Sequence, residues 1–245
     1  MSSAAGTMYI DDIKVSEGED VTEPAPTATP VPTTAPTAEP SVIASIDFEG
    51  SELPKEVKKH TITTGSVGVV ADPKDSSNKV LAFTTVGSET IGIDFTNSTV
   101  EKPVTVEFKL MRTGFGASKY LTMSLLGPGG FTYQMYTTKS SSSGAVWFGD
   151  RRWSAAPAAD MQPFKQDASE DTWYQFKVVY TPPVGEKEVN IKVYIDDVLV
   201  KDSNRFYYDS VNMDGVAESS ISELRFSSLS GVSGTLYIDN VKISE

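Results

Sequence analysis

The chain has 245 residues, 39% of them hydrophobic, enough for the core of one large β domain or two small ones. A formal net charge of −12 argues against nucleic acid, which demands clustered Lys and Arg, and equally disfavours an anionic membrane surface. With no cysteine there is no disulfide, thiolate nucleophile or Cys-ligated metal, and no apolar run approaches the roughly 18 residues of a membrane span.

In chain order, the first feature is one half of a repeat. Gly6-Thr7-Met8-Tyr9-Ile10-Asp11-Asp12-Ile13-Lys14-Val15-Ser16-Glu17 returns as Gly234-Thr235-Leu236-Tyr237-Ile238-Asp239-Asn240-Val241-Lys242-Ile243-Ser244-Glu245, with eight of twelve positions identical. Between the copies, residues 18–40 hold six prolines interleaved with Thr and Ala. Such a stretch cannot bury a core, favours polyproline II, and reaches on the order of 60–70 Å. The expected organisation is a terminal strand of a preceding homologous domain at 1–17, a Pro/Thr-rich linker at 18–40, and one β-sandwich domain at 41–245. Alternatively, 1–17 belongs to this same fold, or exchanges with the equivalent strand of a neighbouring copy by strand addition.

From Ser41 onward apolar and polar residues alternate with a period of two, broken by Gly, Pro, Asn and Ser clusters. Strands are predicted at 42–48, 67–71, 79–86, 90–95, 103–112, 119–126, 131–137, 145–149, 173–180, 189–195, 198–201, 221–228 and 235–243. Val104, Val106, Phe108 and Leu110 share one face; Leu121, Met123 and Leu125 alternate with Tyr120, Thr122 and Ser124. No segment carries a sustained 3.6-residue apolar period. The fold class expected is all-β, a two-sheet antiparallel β-sandwich with few or no helices.

Four stretches carry a family resemblance: Ile46-Asp47-Phe48-Glu49-Gly50, Trp173-Tyr174-Gln175-Phe176-Lys177-Val178, Val193-Tyr194-Ile195-Asp196-Asp197-Val198, and Leu236-Tyr237-Ile238-Asp239-Asn240-Val241. In their order and spacing they resemble concanavalin-like jelly rolls and the carbohydrate-binding modules of clostridial plant-cell-wall enzymes, with Asp197 where Gly is usual. The resemblance implies a secreted bacterial protein. It also implies a structural calcium shared by acidic residues of the first and last strands, here Asp47, Glu49 and Asp239, supplying hard oxygens.

Sugars are held by aromatic rings against their CH faces and by planar polar groups on their hydroxyls. The densest such region is Tyr133 to Trp153. With Val146 and Phe148 inward, Trp147 points outward; continued alternation adds Arg151 and Trp153, with Arg152 between them. Gln134 and Tyr136 are expected on the exposed face of their strand, with Tyr120 beside them, and Lys109, Arg151 and Arg152 would suit an acidic glycan. Tyr207 and Tyr208 form a second candidate patch, and Trp173 reads as packing. No paired-carboxylate cluster, serine-nucleophile motif or phosphate loop stands out; nothing places Glu107 beside Asp150, and the sole histidine, His60, reads as a solvated loop residue. The function expected is a non-catalytic module that targets a multidomain enzyme to plant cell-wall polysaccharide, pectin-like or a neutral β-glycan, as a monomer. The alternatives are a jelly-roll lyase or hydrolase, or a structural spacer.

Overall fold

The computed structural model describes residues 41–95, 102–117, 119–127, 130–151, 161–182, 188–206, 221–229 and 231–245. Fifteen strands and no helix occur among them. They are β1 (Val42–Ile46), β2 (Val57–Thr61), β3 (Ser66–Ala71), β4 (Lys79–Thr85), β5 (Thr90–Asp94), β6 (Val104–Thr113), β7 (Leu121–Gly127), β8 (Gly130–Lys139), β9 (Val146–Arg151), β10 (Met161–Ala168), β11 (Tyr174–Thr181), β12 (Glu188–Ile195), β13 (Val198–Phe206), β14 (Glu223–Ser228) and β15 (Gly234–Ser244). One sheet runs β13-β12-β11-β6-β15-β4-β3, with β1 also on β15; the other runs β10-β9-β8-β7-β14-β5-β2. All pairings are antiparallel. The chain is a two-sheet β-sandwich of jelly-roll type.

Alternation produces this arrangement. In β6, Val104, Val106, Phe108 and Leu110 are buried while Thr105, Glu107 and Lys109 are half-exposed, and β11 alternates in step across the Phe176–Phe108 register. The inward rows of both sheets form one core. At its centre Phe108 stacks on Phe176 at 5.1 Å and meets the edge of Phe226, from the opposite sheet, at 5.9 Å. Such geometries suit the ring quadrupole. In β15, Leu236, Ile238, Val241 and Ile243 are fully buried. The strand divides one edge between two partners: Gly234–Ile238 pairs with β4, and Val241–Ser244 pairs with β1.

The structure corrects three details of the predicted strands. β2 and β10 are additional, and both are sheet edges; β10 carries Pro163, which an edge tolerates because no second neighbour needs its missing N–H. β1 ends at Ile46, since Phe48 has φ 59° and breaks the extended run. Asp196 and Asp197 both have positive φ, 51° and 62°, as a two-residue hairpin turn requires. Asp is among the few non-glycine residues that visit that region readily, which is how it stands where Gly is usual.

Candidate functional site on the outer face of the seven-stranded sheet

The side chains of the seven-stranded sheet that point away from the core come from alternate positions. Among them are Trp147 on β9, Gln134, Tyr136 and Thr138 on β8, Thr122 and Ser124 on β7, Arg225 and Glu223 on β14, Asp94 on β5, and Lys58 and His60 on β2, with Gly92 at an outward position of β5. Cross-strand register sets them in rows. One runs Lys58–Gly92–Arg225–Ser124–Gln134. A parallel one runs Thr90–Ser227–Thr122–Tyr136–Gly149. Such cross-strand neighbours lie within contact range of one another.

The aromatic half occupies β7 to β9. Trp147 lies opposite Thr138 and is half-buried, as the alternation with buried Val146 and Phe148 requires. Its indole N–H has no hydrogen-bond partner and its ring no ring contact among the described residues. Tyr120 is likewise half-buried and meets Tyr136 edge-on at 5.9 Å. Tyr136 corrects the expectation of exposure: it shares the outer face but is only 2% exposed. The side-chain-free Gly149 opposite it and Tyr120 beside it leave the ring a place to settle on the sheet. Gln134 is half-buried and donates from Nε2 to Ser124 Oγ at 3.0 Å, which fixes its amide on the same face.

Lys109 is a second correction. It projects from β6 of the other sheet, in register with Asp239 and Gln175, and so lies on the opposite side of the sandwich from Trp147. Glu107 and Asp150 lie on strands of different sheets, β6 and β9. Arg151 closes β9 opposite Met161. Arg152, Trp153, Tyr207 and Tyr208 lie outside the described residues, as do residues 1–40.

The ionic half of the face is at β2, β5 and β14. Glu223 Oε1 and Oε2 accept from Arg225 Nε and Nη2, both at 2.7 Å, a planar two-point grip. His60 Nε2 lies 2.8 Å from Glu223 Oε1. His60 is exposed, as its Lys-rich surroundings imply, but it is not a loop residue: it is on β2, paired through space with a residue 163 positions away. The sequence offered no periodic signal for it, because in Val57-Lys58-Lys59-His60-Thr61 only Val57 is buried.

The acidic residues expected to share calcium are only partly assembled. Asp47 is exposed and accepts from the Glu49 N–H at 3.3 Å, a local turn, and Phe48 with positive φ prevents the two from alternating along one strand. Asp239 is 3% exposed and accepts from Asn78 Nδ2 at 3.2 Å and from the Asn240 N–H at 2.8 Å. Burial pushes its carboxyl above the ordinary 3.8; Asn78, the Asn240 N–H and Lys109 pull it down, and the nearby charge of Glu49 pushes it up again. Next to it, Trp173 Nε1 donates to both oxygens of Asp72, at 3.3 and 3.2 Å, so this tryptophan ties the β11 end to the 72–78 turn.

No protein-family model matches the sequence, and no curated protein matches it. Solved structures do match. Alginate lyase Aly36B aligns with a TM-score of 0.56 at 12% identity, over 84% of this chain and 97% of that one. The Emp47p carbohydrate recognition domain aligns with a TM-score of 0.54 at 9% identity, over 84% and 96%. β-Agarase A from Zobellia galactanivorans aligns with a TM-score of 0.53 at 12% identity, over 84% and 92%. The likeness is one of fold, the jelly-roll β-sandwich.

Proposed function

We propose that this chain is a non-catalytic carbohydrate-binding module that uses the outer face of its seven-stranded sheet. The observation that carries the reading is the pair Trp147 and Tyr120, outward, half-buried and with an indole N–H and a phenol O–H that no described residue engages. A pyranose stacked on these rings would bury apolar CH surface, with the half-buried Gln134 on the same face of the sheet. Proteins named for carbohydrate recognition and for cleavage of alginate and agarose share the fold, which is consistent with a glycan ligand. The ligand proposed is a plant cell-wall polysaccharide, pectin-like or a neutral β-glycan, bound by a monomeric module on a secreted bacterial enzyme of the clostridial kind. The absence of catalysis belongs to the proposal. The carboxylate that stands on this face opposite Asp94 is Glu223, and Arg225 engages both of its oxygens; a glycosidase acid must instead hold and donate a proton.

Trp147→Ala is expected to weaken retention in affinity gels of xylan, mannan, β-glucan or pectin at least tenfold, with a melting midpoint within about 4 °C of wild type. Undiminished retention on a polysaccharide that binds the wild-type chain rejects this face. Product release from any of these polymers by the purified chain rejects the non-catalytic reading.

The repeat fits tandem copies of the module. Met8, Ile10, Ile13 and Val15 stand at the positions of Leu236, Ile238, Val241 and Ile243, the four fully buried residues of β15. Residues 1–17 are accordingly read as the closing strand of a preceding homologous domain, able to exchange with its counterpart, and 18–40 as the linker. Two modules on one flexible chain raise the effective concentration of the second binding event, so weak single sites suffice.

Calcium is proposed at the end of the sandwich that carries Asp239. The donor set fits a hard cation incompletely: a buried carboxylate that already feels the charge of Glu49, but with the Asn78 amide N–H bonded to it and the Lys109 charge nearby. Glu49 and Asp239 would hold the ion; Asp47 is engaged by its own turn. Without metal, a carboxyl whose folded value is raised favours the fold most below its unfolded value and loses that contribution as pH rises through the folded one. In chelator, Asp239→Asn is therefore expected to melt no lower than wild type at neutral pH and to lose any advantage on acidification below about 4. Added calcium is expected to raise the midpoint of wild type and not of Asp239→Asn. A wild-type midpoint indifferent to calcium and chelator removes the ion from the account.

A further inference from the structure

The ionic half of the same face carries a site that the glycan reading does not use. His60 Nε2, one carboxylate oxygen of Asp94 and one of Glu223 all lie within 4.8 Å of one another, the only such group of three among the described residues. They come from three adjacent strands, β2, β5 and β14, so the sheet itself holds them together. Three to five strand spacings, about 14–24 Å, separate these strands from the one that carries Trp147.

Three further observations show that this is a built arrangement. Gly92, between them on β5, leaves the space in which His60 and Glu223 meet: a Cβ there would collide with Glu223 Oε1 and lie 2.7 Å from His60 Nε2. The half-buried carboxylate of Asp94 has no hydrogen-bond or ion-pair partner among the described residues, and neither has His60 Nδ1. Glu223 is oriented from behind by Arg225, which engages both oxygens, and the second lone pair of Oε1 is the one directed at His60. Outer partners of that sort fix the direction of a ligating carboxylate. The group opens into a cavity of about 760 Å³, lined also by Lys58, Ser222 and Phe95.

We propose that His60, Asp94 and Glu223 bind a first-row divalent transition-metal ion of the zinc class, with its remaining coordination positions facing the cavity. An imidazole nitrogen selects such an ion over calcium or magnesium, which take oxygen alone. Three protein ligands leave room for water or an oxygen ligand from the cavity. The 2.8 Å between His60 Nε2 and Glu223 Oε1 suits two neighbouring ligands of one ion. On binding, Nε2 gives up its hydrogen bond to Glu223 and takes the metal, while the ring proton resides on Nδ1, whose lone pair is unused without metal. Arg225 and Lys58 offset some of the negative charge of the two carboxylates. The metal site stands whatever the aromatic half binds.

The full chain is titrated with Zn²⁺ by calorimetry, and the imidazole ¹⁵N resonances are followed by NMR; His60 is the only histidine, so they need no assignment. One Zn²⁺ per chain is expected, with a displaced Nε2 resonance and no competition from excess Ca²⁺. His60→Gln and Asp94→Asn are each expected to weaken binding at least tenfold, and Gly92→Ala to abolish it. His60 is 36% exposed at its side chain, so His60→Gln is expected to keep the wild-type melting midpoint; should Gly92→Ala not fold, Asp94→Asn decides. An imidazole unmoved at millimolar Zn²⁺, or zinc binding that survives His60→Gln, overturns the proposal.

Discussion

Replacing Glu170 with Ala is expected to lower the melting midpoint by roughly 6–12 °C, the equivalent of about 3 kcal/mol for a domain of this size. The reason is Arg112, on β6, whose side chain is 2% exposed. Its Nη1 donates to Thr137 Oγ1 at 2.9 Å and its guanidinium lies 4.8 Å over the Phe115 ring, but Nε and Nη2 have no hydrogen-bond partner. Burial holds the group down to about 10, and Glu170, 3.7 Å from Nη2, pulls the other way. Glu170 also accepts from the Phe115 N–H at 3.1 Å and from Lys139 Nζ at 2.6 Å, so one carboxylate serves both sheets. Without it a buried cation has no counter-charge, which costs far more than the pair itself contributes. Thermal melts of Glu170→Ala and of Arg112→Met/Glu170→Met measure this. The double variant, free of buried charge, is expected to recover most of the loss; a single-variant shift below about 2 °C would mean that the guanidinium reaches water.

Phe108→Ala is expected to cost about 4 kcal/mol. The ring is fully buried, stacked on Phe176 and edge-on to Phe226, so truncation leaves a cavity walled by two rigid rings from different sheets. Both rings stand on paired strands, Phe176 opposite Ile195 and Phe226 opposite Met123, so the backbone cannot follow them into the space and the site collapses only in part. Urea unfolding checks this through the midpoint at unchanged slope. Val70→Ala on edge strand β3, 40% exposed, is the control and is expected to change stability by no more than about 0.5 kcal/mol.

Sequence pattern revealed most where one face of a strand is buried and the other wet. The alternations around Phe108 and Leu236 gave correct strands and inward rows, and the same reasoning put Trp147 on the outer face. It failed where burial is not a matter of parity. Tyr136 has the outward parity yet is buried, with Tyr120 edge-on against its ring and Gly149 opposite it. Polar edge strands gave no period: β2 has one buried residue and β10 carries a proline, so His60 looked like a loop residue. Long-range pairing was equally illegible. Nothing local ties His60 to Glu223, or sets Lys109 on the far sheet from Trp147, because strand order, not spacing, decides both. The glycine between His60 and Glu223 was the one available hint, since Gly interrupts an otherwise β-branched run at Ile91-Gly92-Ile93 and an interior strand glycine often marks a close approach from outside.

The shared edge of β15 has a mechanical consequence. Ser41 and Glu245 exchange two backbone hydrogen bonds of 2.9 Å, so a tension applied between these residues acts across the β1–β15 ladder at its open end. Bonds loaded in that direction break singly and in succession, like a zipper, and do not resist together as they would in shear. The first strand would peel away at low force while Gly234–Ile238, bonded to β4 and β6, stays in place, leaving most of the sandwich intact as a reserve of extensible length.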